Sequence, residues 1–220
     1  MEKKISEAPS AEEESVDLRT SRRGFLKGMG VAAGATMLFS GSAQAQDTKP
    51  ARPSTPGLQE VGRKPVEITL NVNGKNHKLK VEPRTTLLDA LREKLDITGA
   101  KEICDRGYCS GCTVLIDGRA VTSCMALAID AEGHKIMTAE GISKDPKYKN
   151  LMKAFHDHDA AQCGYCIPGF LVRSAALLEE MPNATPAQIR QGLEGNLCRC
   201  GTYSKIFTAV EAAASKGGVG

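Results

Sequence analysis

KEICDRGYCSGCTV, residues 101–114, sets three cysteines in one short stretch at the spacing C-x4-C-x2-C. A fourth, Cys124, follows after eleven intervening residues. Gly107 and Gly111 allow the backbone to curl tightly, so that its N–H groups can point at thiolate sulfurs. The stretch therefore predicts a loop that holds one compact centre on four thiolates, the last supplied when the chain returns through a hairpin.

Patterned segments on both sides of this loop predict a small sheet crossed by one helix. Val66 to Val72 alternates apolar and polar residues, which is typical of a half-buried strand, and Asn73-Gly74 is the preferred two-residue hairpin turn. A threonine pair at 85–86 can cap a helix with a stripe of leucines. Further ordered segments are expected at 77–81, 113–116, 121–129 and 135–138. We therefore expect an α+β unit over residues 66–140.

Residues 141–217 change to helical patterning and carry a second set of four cysteines. Helices are expected at 146–158, 168–180, from 185 onward and at 204–214, and Thr185-Pro186-Ala187-Gln188 predicts a capping box. The cysteines stand as Cys163-Gly164-Tyr165-Cys166 and Cys198-Arg199-Cys200. Two helix ends that meet around a centre would explain how an all-helical domain holds it. The side chain of Arg199 is expected to point outward, and its role stays open.

The first 45 residues are typical of an export signal. The adjacent arginines of Ser21-Arg22-Arg23-Gly24-Phe25-Leu26-Lys27 are typical of twin-arginine signals. A short Gly/Ala-rich run follows and ends at Ala43-Gln44-Ala45, the small-x-small pattern of a cleavage site. A membrane-anchoring or amphipathic helix is the alternative, although a membrane span needs about 20 strongly apolar residues. We expect a periplasmic protein, exported by the twin-arginine machinery, with residues 46–65 as a flexible proline-rich tether.

Three other uses of eight cysteines compete. Disulfides suit an exported chain with an even cysteine count, but a C-x-C pair cannot readily close on itself. Structural zinc often uses C-x2-C, yet paired zinc knuckles do not usually show C-x4-C-x2-C or C-x-C. A Rieske centre needs two histidine ligands, and none of the four histidines forms a C-x-H pair. Because C-x4-C-x2-C is the plant-type ferredoxin spacing, we expect one 2Fe–2S cluster per set.

Composition argues against several other functions. A net charge of +3, with acids and bases intermixed, provides no basic stripe for nucleic acid. Gly28-Met29-Gly30 lies inside the export signal rather than after a strand, so it is not a dinucleotide-binding fingerprint. We therefore expect any flavin or nicotinamide site on other chains.

Two independent motif sets resemble those of the xanthine oxidase family of molybdenum hydroxylases. Residues 101–114 resemble the first cluster loop of that family, and residues 162–169 with 195–203 resemble the second. The resemblance covers roughly residues 66–210. It implies a small iron–sulfur subunit, with a β-grasp ferredoxin-like domain at 66–140 and a helical-bundle domain at 141–217. Such a subunit relays electrons from a large molybdopterin-binding catalytic chain to an FAD-binding subunit or a haem-containing cytochrome. Because the family's hydroxylation occurs at molybdenum on the large chain, the resemblance implies no catalytic residue in this chain.

The resemblance also implies roles for individual residues. The 2Fe–2S cluster nearer molybdenum would be held by Cys163, Cys166, Cys198 and Cys200. The distal 2Fe–2S cluster, which passes electrons outward, would be held by Cys104, Cys109, Cys112 and Cys124. Gln162 would contact the molybdopterin dinucleotide, with a helix cap or a domain contact as its alternative role.

The substrate class follows from a departure from the family pattern. Many members read C-R-C-T-G-Y, whereas this chain reads Cys200-Gly201-Thr202-Tyr203 after Arg199. Together with export, this resembles the branch of periplasmic aldehyde oxidoreductases and isoquinoline-type oxidoreductases. We expect an aldehyde substrate, with an aromatic N-heterocycle as the alternative. A free-standing two-cluster carrier and a disulfide-stapled binding module are alternative functions.

Two expectations concern the surface. An exposed apolar face for the partner is expected on the helical domain. Tyr108, Tyr165 and Tyr203 stand beside ligand cysteines and are expected to shield the clusters from water.

Overall fold

The computed structural model describes residues 62–219, which begin with a five-stranded mixed sheet. The strands are β1 Val66–Val72, β2 Lys75–Val81, β3 Thr113–Ile116, β4 Arg119–Thr122 and β5 Lys135–Met137. Their order is β2-β1-β5-β3-β4, in which β1 and β5 are parallel and the other pairs antiparallel. A central parallel pair between two hairpins is the β-grasp arrangement, which confirms the α+β fold expected for this part of the chain.

The first hairpin forms as its sequence predicts. Asn73 and Gly74 both adopt positive φ, at 51° and 77°, which a two-residue turn of this kind requires. Val72 therefore pairs with Lys75, so β2 begins two residues earlier than expected. Alternation then buries Ile68 and Leu70 on the face of β1 that covers the core.

The helix that crosses the sheet is shorter and less regular than expected. It is α1, Leu87–Asp89, which continues as a π-helical turn over Ala90–Lys94. The Thr86 side chain caps α1 by accepting from the N–H of Asp89 at 3.1 Å. The Arg92 side chain donates to the C=O of Ala100 at 3.0 Å, which ties the end of this helix to the first cysteine loop.

Five helices make up the rest of the structure: α2 Ala139–Lys144, α3 Lys149–Asp157, α4 Ile167–Glu180, α5 Pro186–Gly192 and α6 Tyr203–Ala214. Short 3-10 turns at Ile129–Ala131 and Pro146–Tyr148 lie before β5 and before α3. The predicted capping box of α5 is confirmed, since the Thr185 and Gln188 side chains each bond the backbone of the other. The sequence did not predict α2, and the helix expected from residue 146 starts as the 3-10 turn.

Strand β3 joins the core under the sheet to the core of the helices. Val114 belongs to the core under the sheet, whereas Leu115 packs with the helical residues around Phe170. Neighbouring residues of a strand point to opposite faces, and α4 lies directly against β3. The two halves belong to one compact unit, and the division at residue 140 stays a prediction.

The predicted export signal, residues 1–45, and the tether as far as residue 61 lie outside the described residues. Within residues 62–219, no helix has both the length and the apolar character needed to cross a membrane.

Candidate functional site

The first cysteine set lies in the loop between α1 and β3 and directly after β4. Cys109, Cys112 and Cys124 are buried, whereas Cys104 is half-buried. Their thiols interact in two pairs, Cys104 with Cys109 and Cys112 with Cys124. Charge on Cys104 also acts on Cys124, so the structure brings all four thiols of this set together.

The loop backbone curls around these thiols, as its glycines predict. Asp105, Gly107 and Ser110 adopt positive φ of 49°, 72° and 55°. The N–H of Gly107 donates to Sγ of Cys124 at 3.2 Å, and the N–H of Gly111 lies 3.5 Å from Sγ of Cys109. Backbone N–H groups directed at sulfur stabilise the charge of a thiolate ligand.

Burial and hydrogen bonds move the pKa values of these thiols in opposite directions. Burial raises the pKa of Cys124 to about 11, and the adjacent Cys112 thiol adds to this rise. The hydrogen bond from Gly107 acts in the opposite direction but is weaker. Burial also opposes ionisation of Cys104, but N–H groups, that of Arg106 foremost, outweigh it and lower the pKa to about 7. Cys104 therefore ionises far more readily than Cys124.

The second cysteine set lies at the N-terminal ends of α4 and α6. The Cys163 thiol interacts with that of Cys200, and the Cys166 thiol with that of Cys198. The first pair is exposed and the second is buried. Burial raises the pKa of Cys166 to about 12, and the adjacent Cys198 thiol adds to the rise. The partial positive charge at the start of both helices favours thiolates at this position.

Tyr203 anchors the buried pair of the second set. Its hydroxyl accepts a hydrogen bond from the N–H of Cys198 at 2.8 Å. The ring packs edge-on against Phe170, with 6.1 Å between centroids and an interplanar angle of 73°. The Tyr203 ring is therefore held by the helical core while its hydroxyl fixes the backbone of a cysteine.

This donor arrangement fits a binuclear cluster in each set. Within residues 62–219, no group of three or more His, Cys, Asp or Glu side chains is arranged around a point where one metal ion could sit. The thiols of each set come in two pairs, and each iron of a 2Fe–2S cluster takes two thiolates. Four soft sulfur donors per set are the ligands that such a cluster uses. In the first set, N–H groups directed at two of the sulfurs add the supporting hydrogen bonds.

The residues predicted beside the cysteines are mostly exposed. Gln162 lies exposed next to Cys163, and Arg199 is exposed, so its side chain points outward as expected. The Tyr108 side chain is 75% exposed. The expectation that its ring shields the first cluster from water is therefore wrong for this chain without its partners. Tyr165 is half exposed and reaches across to the first loop, where Lys101 Nζ lies 5.7 Å from its ring centroid.

Exposed apolar side chains lie on both halves of the structure, whereas the sequence favours the helical half. Among the described residues, the large exposed apolar side chains are Ile103, Tyr108, Met125, Leu127, Tyr165 and Leu197. The first four belong to the half with the sheet and the last two to the helical half. The partner face on the helical half stays a prediction. All six lie within one to three residues of a cysteine, and that proximity is the signal that could have located these exposed side chains.

Comparison with known proteins agrees with the cysteine geometry. Residues 70–137 match the family model described as 2Fe-2S iron-sulfur cluster binding domain, and residues 138–211 match that described as 2Fe-2S binding domain. The aldehyde oxidoreductase iron-sulfur-binding subunit PaoA of Escherichia coli is 38% identical over 215 residues, which cover 91% of this chain and 90% of that protein.

The chain is a small iron–sulfur subunit of the xanthine oxidase family. The nicotinate dehydrogenase small FeS subunit of Eubacterium barkeri is 42% identical over 151 residues, covering 69% of this chain and 96% of that protein. The solved quinoline 2-oxidoreductase of Pseudomonas putida 86 matches with a TM-score of 0.64 and 42% identity, covering 71% of this chain and 99% of that one.

Membership fixes the general role of this iron–sulfur subunit. It carries two 2Fe–2S domains and transfers electrons within a multi-subunit molybdenum hydroxylase. A large catalytic subunit holds the molybdenum–pterin cofactor in such complexes. The family therefore confirms the electron-transfer role and the β-grasp-plus-helical architecture expected from the sequence.

Proposed function

We propose that this iron–sulfur subunit is the electron relay of an exported aldehyde oxidoreductase. It takes electrons from the molybdenum cofactor of a large partner chain and passes them singly to a flavoprotein or a cytochrome. Four thiol pairs, two in each cysteine set, carry this proposal. The 2Fe–2S clusters, when bound, supply one-electron carriers whose potentials depend on burial and on hydrogen bonds to sulfur.

The thiol pairs indicate which cysteines share an iron. In the first set, Cys104 and Cys109 would hold one iron, and Cys112 and Cys124 the other. In the second set, the pairs would be Cys163 with Cys200 and Cys166 with Cys198. The N–H groups of Gly107 and Gly111 would stabilise the thiolates of the first set.

The exposure of the second set supports its assignment to the end of the relay nearer molybdenum. Cys163 and Cys200 lie at the surface, so a partner chain can bring its cofactor close to them. Gln162 is exposed beside Cys163, and its amide can both donate to and accept from a pterin dinucleotide. We assign Gln162 to that contact, with a domain contact as the alternative.

The surroundings of Cys104 suit the outgoing end of the relay. Cys104 is half-buried, and the exposed side chains of Ile103, Tyr108 and Met125 lie close to it in sequence or in contact with its loop. Several exposed apolar side chains on one loop favour a protein contact. We propose that the flavoprotein or cytochrome docks here.

An aldehyde is the proposed substrate class. The match to PaoA covers 91% of this chain, so it must include much of the N-terminal 61 residues, whereas the match to the nicotinate dehydrogenase subunit covers 69%. Similarity in the predicted signal and tether supports both the aldehyde branch and twin-arginine export to the periplasm. The nicotinate and quinoline enzymes support an aromatic N-heterocycle as the alternative substrate.

The test is an iron count and a low-temperature EPR spectrum of the complex, expressed with its own partner and export genes. We expect about four irons per chain and two rhombic signals on reduction. Cys104→Ser should remove one signal and Cys163→Ser the other, so each variant is the control for the other. A single signal, or the loss of both in either variant, would contradict the two-cluster assignment.

The same preparation tests the substrate and the location. The complex should reduce an artificial acceptor with aromatic aldehydes faster than with quinoline or nicotinate, and the reverse order would favour the alternative. Arg22→Lys together with Arg23→Lys should leave the protein in the cytoplasm. Export that continues in this double variant would overturn the twin-arginine assignment.

A further inference from the structure

A half-buried carboxylate holds the chain at the entry of the first cysteine loop. Glu140 lies in the first turn of α2, and its Oε1 accepts a hydrogen bond from the N–H of Gly99 at 2.6 Å. A Cβ at Gly99 would collide with this carboxylate, so a glycine is needed for the two segments to meet. Gly99 precedes Cys104 by five residues. A distant part of the chain therefore fixes the backbone just before the first cysteine.

A small polar network holds Glu140 in turn. Its Oε2 accepts a hydrogen bond from Oγ1 of Thr138 at 2.6 Å, and Thr138 is fully buried. The Asn73 side chain donates from Nδ2 to Oγ1 of Thr138 at 3.0 Å. Its Oδ1 accepts from the N–H of Thr138 at 2.9 Å. Because the partners of Glu140 are themselves held, the network restricts the carboxylate and keeps Oε1 directed at Gly99.

The segment that Glu140 holds is bonded to the part of the loop that faces sulfur. Two residues after Gly99, the N–H of Lys101 donates to the C=O of Gly111 at 3.1 Å. The N–H of Gly111 lies 3.5 Å from Sγ of Cys109. A displacement of the chain at Gly99 is therefore passed on to the N–H group that faces this sulfur. Hydrogen bonds to sulfur raise the reduction potential of a cluster, because they stabilise the more negative reduced state.

We propose that Glu140 is a positioning residue for the first cluster. It fixes the entry of the first cysteine loop and, through the backbone of residues 99–111, the hydrogen bond from Gly111 to Cys109. The inference rests on the proposed function, which assigns a 2Fe–2S cluster to the first cysteine set. Loss of the Glu140 carboxylate should therefore lower the reduction potential of the first cluster and leave that of the second cluster unchanged.

Glu140→Ala is the variant that tests this role, and Glu132→Ala is its matched control. The Glu132 carboxylate also accepts a backbone N–H, that of Thr69 at 2.8 Å, but this bond joins β1 to the turn before β5. Redox titration of the complete complex, followed by low-temperature EPR, measures the midpoint potential of each cluster. Amide hydrogen exchange across residues 99–112 measures how firmly the loop is held.

We expect Glu140→Ala to lower the equilibrium constant for reduction of the first cluster about threefold, which is about 28 mV at 59 mV per tenfold change. The second cluster should keep its midpoint, and amide exchange across residues 99–112 should become faster. Glu132→Ala should match the wild type in both measurements. If both clusters load and the first-cluster midpoint of Glu140→Ala equals that of the wild type, Glu140 is not a positioning residue, whatever the change in Tm.

Thr138→Val decides the question if Glu140→Ala fails to fold or to load the first cluster. Valine keeps the shape of the side chain but removes the hydroxyl that donates to Glu140, whereas Thr138→Ser keeps this hydroxyl. We expect a lower first-cluster midpoint in Thr138→Val and the wild-type midpoint in Thr138→Ser. Equal midpoints in these two variants would overturn the proposal.

These outcomes are separable from a failure of the proposed function. A wild-type complex without a first-cluster signal, or one in which that signal survives Cys104→Ser, would overturn the cluster assignment itself. Two normal signals in the wild type, with unchanged midpoints in Glu140→Ala and Thr138→Val, would overturn only the positioning role of Glu140.

Discussion

Tyr203→Phe tests how the buried half of the second cysteine set is held. The substitution removes only the hydroxyl that accepts the Cys198 N–H at 2.8 Å, and it keeps the ring against Phe170. Cys198 is 7% exposed, so water cannot readily replace the lost acceptor. An unsatisfied buried donor costs about 1–3 kcal/mol, which corresponds to roughly a 5- to 150-fold increase in the local opening constant.

The assay is the rate at which iron of the second set passes to a chelator in mild urea, followed by the loss of its EPR signal. Because release requires local opening, the rate should rise with the opening constant. The first-set signal serves as the internal reference, and Tyr108→Phe, at a position 75% exposed, serves as the control variant. If Tyr203→Phe releases iron as slowly as Tyr108→Phe, the hydroxyl does not hold Cys198 and the reasoning is refuted.

Three further predictions concern protonation and packing. Burial opposes the charge of Glu140, but hydrogen bonds, that of Thr138 foremost, outweigh it and lower its pKa below 4.5. The carboxylate therefore stabilises the fold above about pH 4.5 and loses this contribution as the pH falls through the folded-state pKa. Glu140→Gln should accordingly make Tm depend less steeply on pH on the acid side of the profile. A profile that is unchanged in this variant would contradict the prediction. In the iron-free chain at pH 7, iodoacetamide should label Cys104 well before Cys166, because N–H groups lower the pKa of the Cys104 thiol to about 7 whereas burial raises that of Cys166 to about 12. Equal labelling in a mass-spectrometric time course would contradict this prediction. Leu178→Ala should lower the free energy of unfolding in urea by about 2–5 kcal/mol, because Leu178 is fully buried. Leu197→Ala, at a position 40% exposed, should change it by less than about 0.5 kcal/mol. Similar losses in both variants would refute the packing argument.

Local rules were sufficient wherever the decisive contacts are close in sequence. Asn73-Gly74 forms the hairpin turn because both residues tolerate positive φ. The capping box at Thr185 forms because its two partners are three residues apart. The cysteine spacing predicted the curled loop for the same reason, since the glycines that allow the curl lie between the cysteines.

Long-range contacts explain what the sequence did not reveal. The sequence predicts that the helical half starts at residue 141, yet α2 spans this position, from Ala139 to Lys144. A Cβ at Gly141 would lie 2.2 Å from Oδ1 of Asn73, so this glycine serves a close approach between the hairpin turn and α2. A glycine needed for packing cannot be told from a helix breaker in one sequence.

The position of the apolar surface also depended on tertiary structure. Met125 packs over Gly107, where a Cβ would be 2.8 Å from its Cγ, and still remains 66% exposed. Ile103 packs over Gly111 in the same way and is 47% exposed. Neither residue belongs to a periodic pattern, so no strand or helix signal indicated that both would stay at the surface.

Anaerobic addition of an aromatic aldehyde to the complete complex, followed by low-temperature EPR, tests the relay most directly. We predict that the aldehyde alone produces both 2Fe–2S signals, and that in Cys163→Ser it no longer produces the first-set signal although dithionite still does. A wild-type complex that oxidises the aldehyde while neither signal appears, or a first-set signal that forms normally in Cys163→Ser, would contradict an electron path through the second cysteine set.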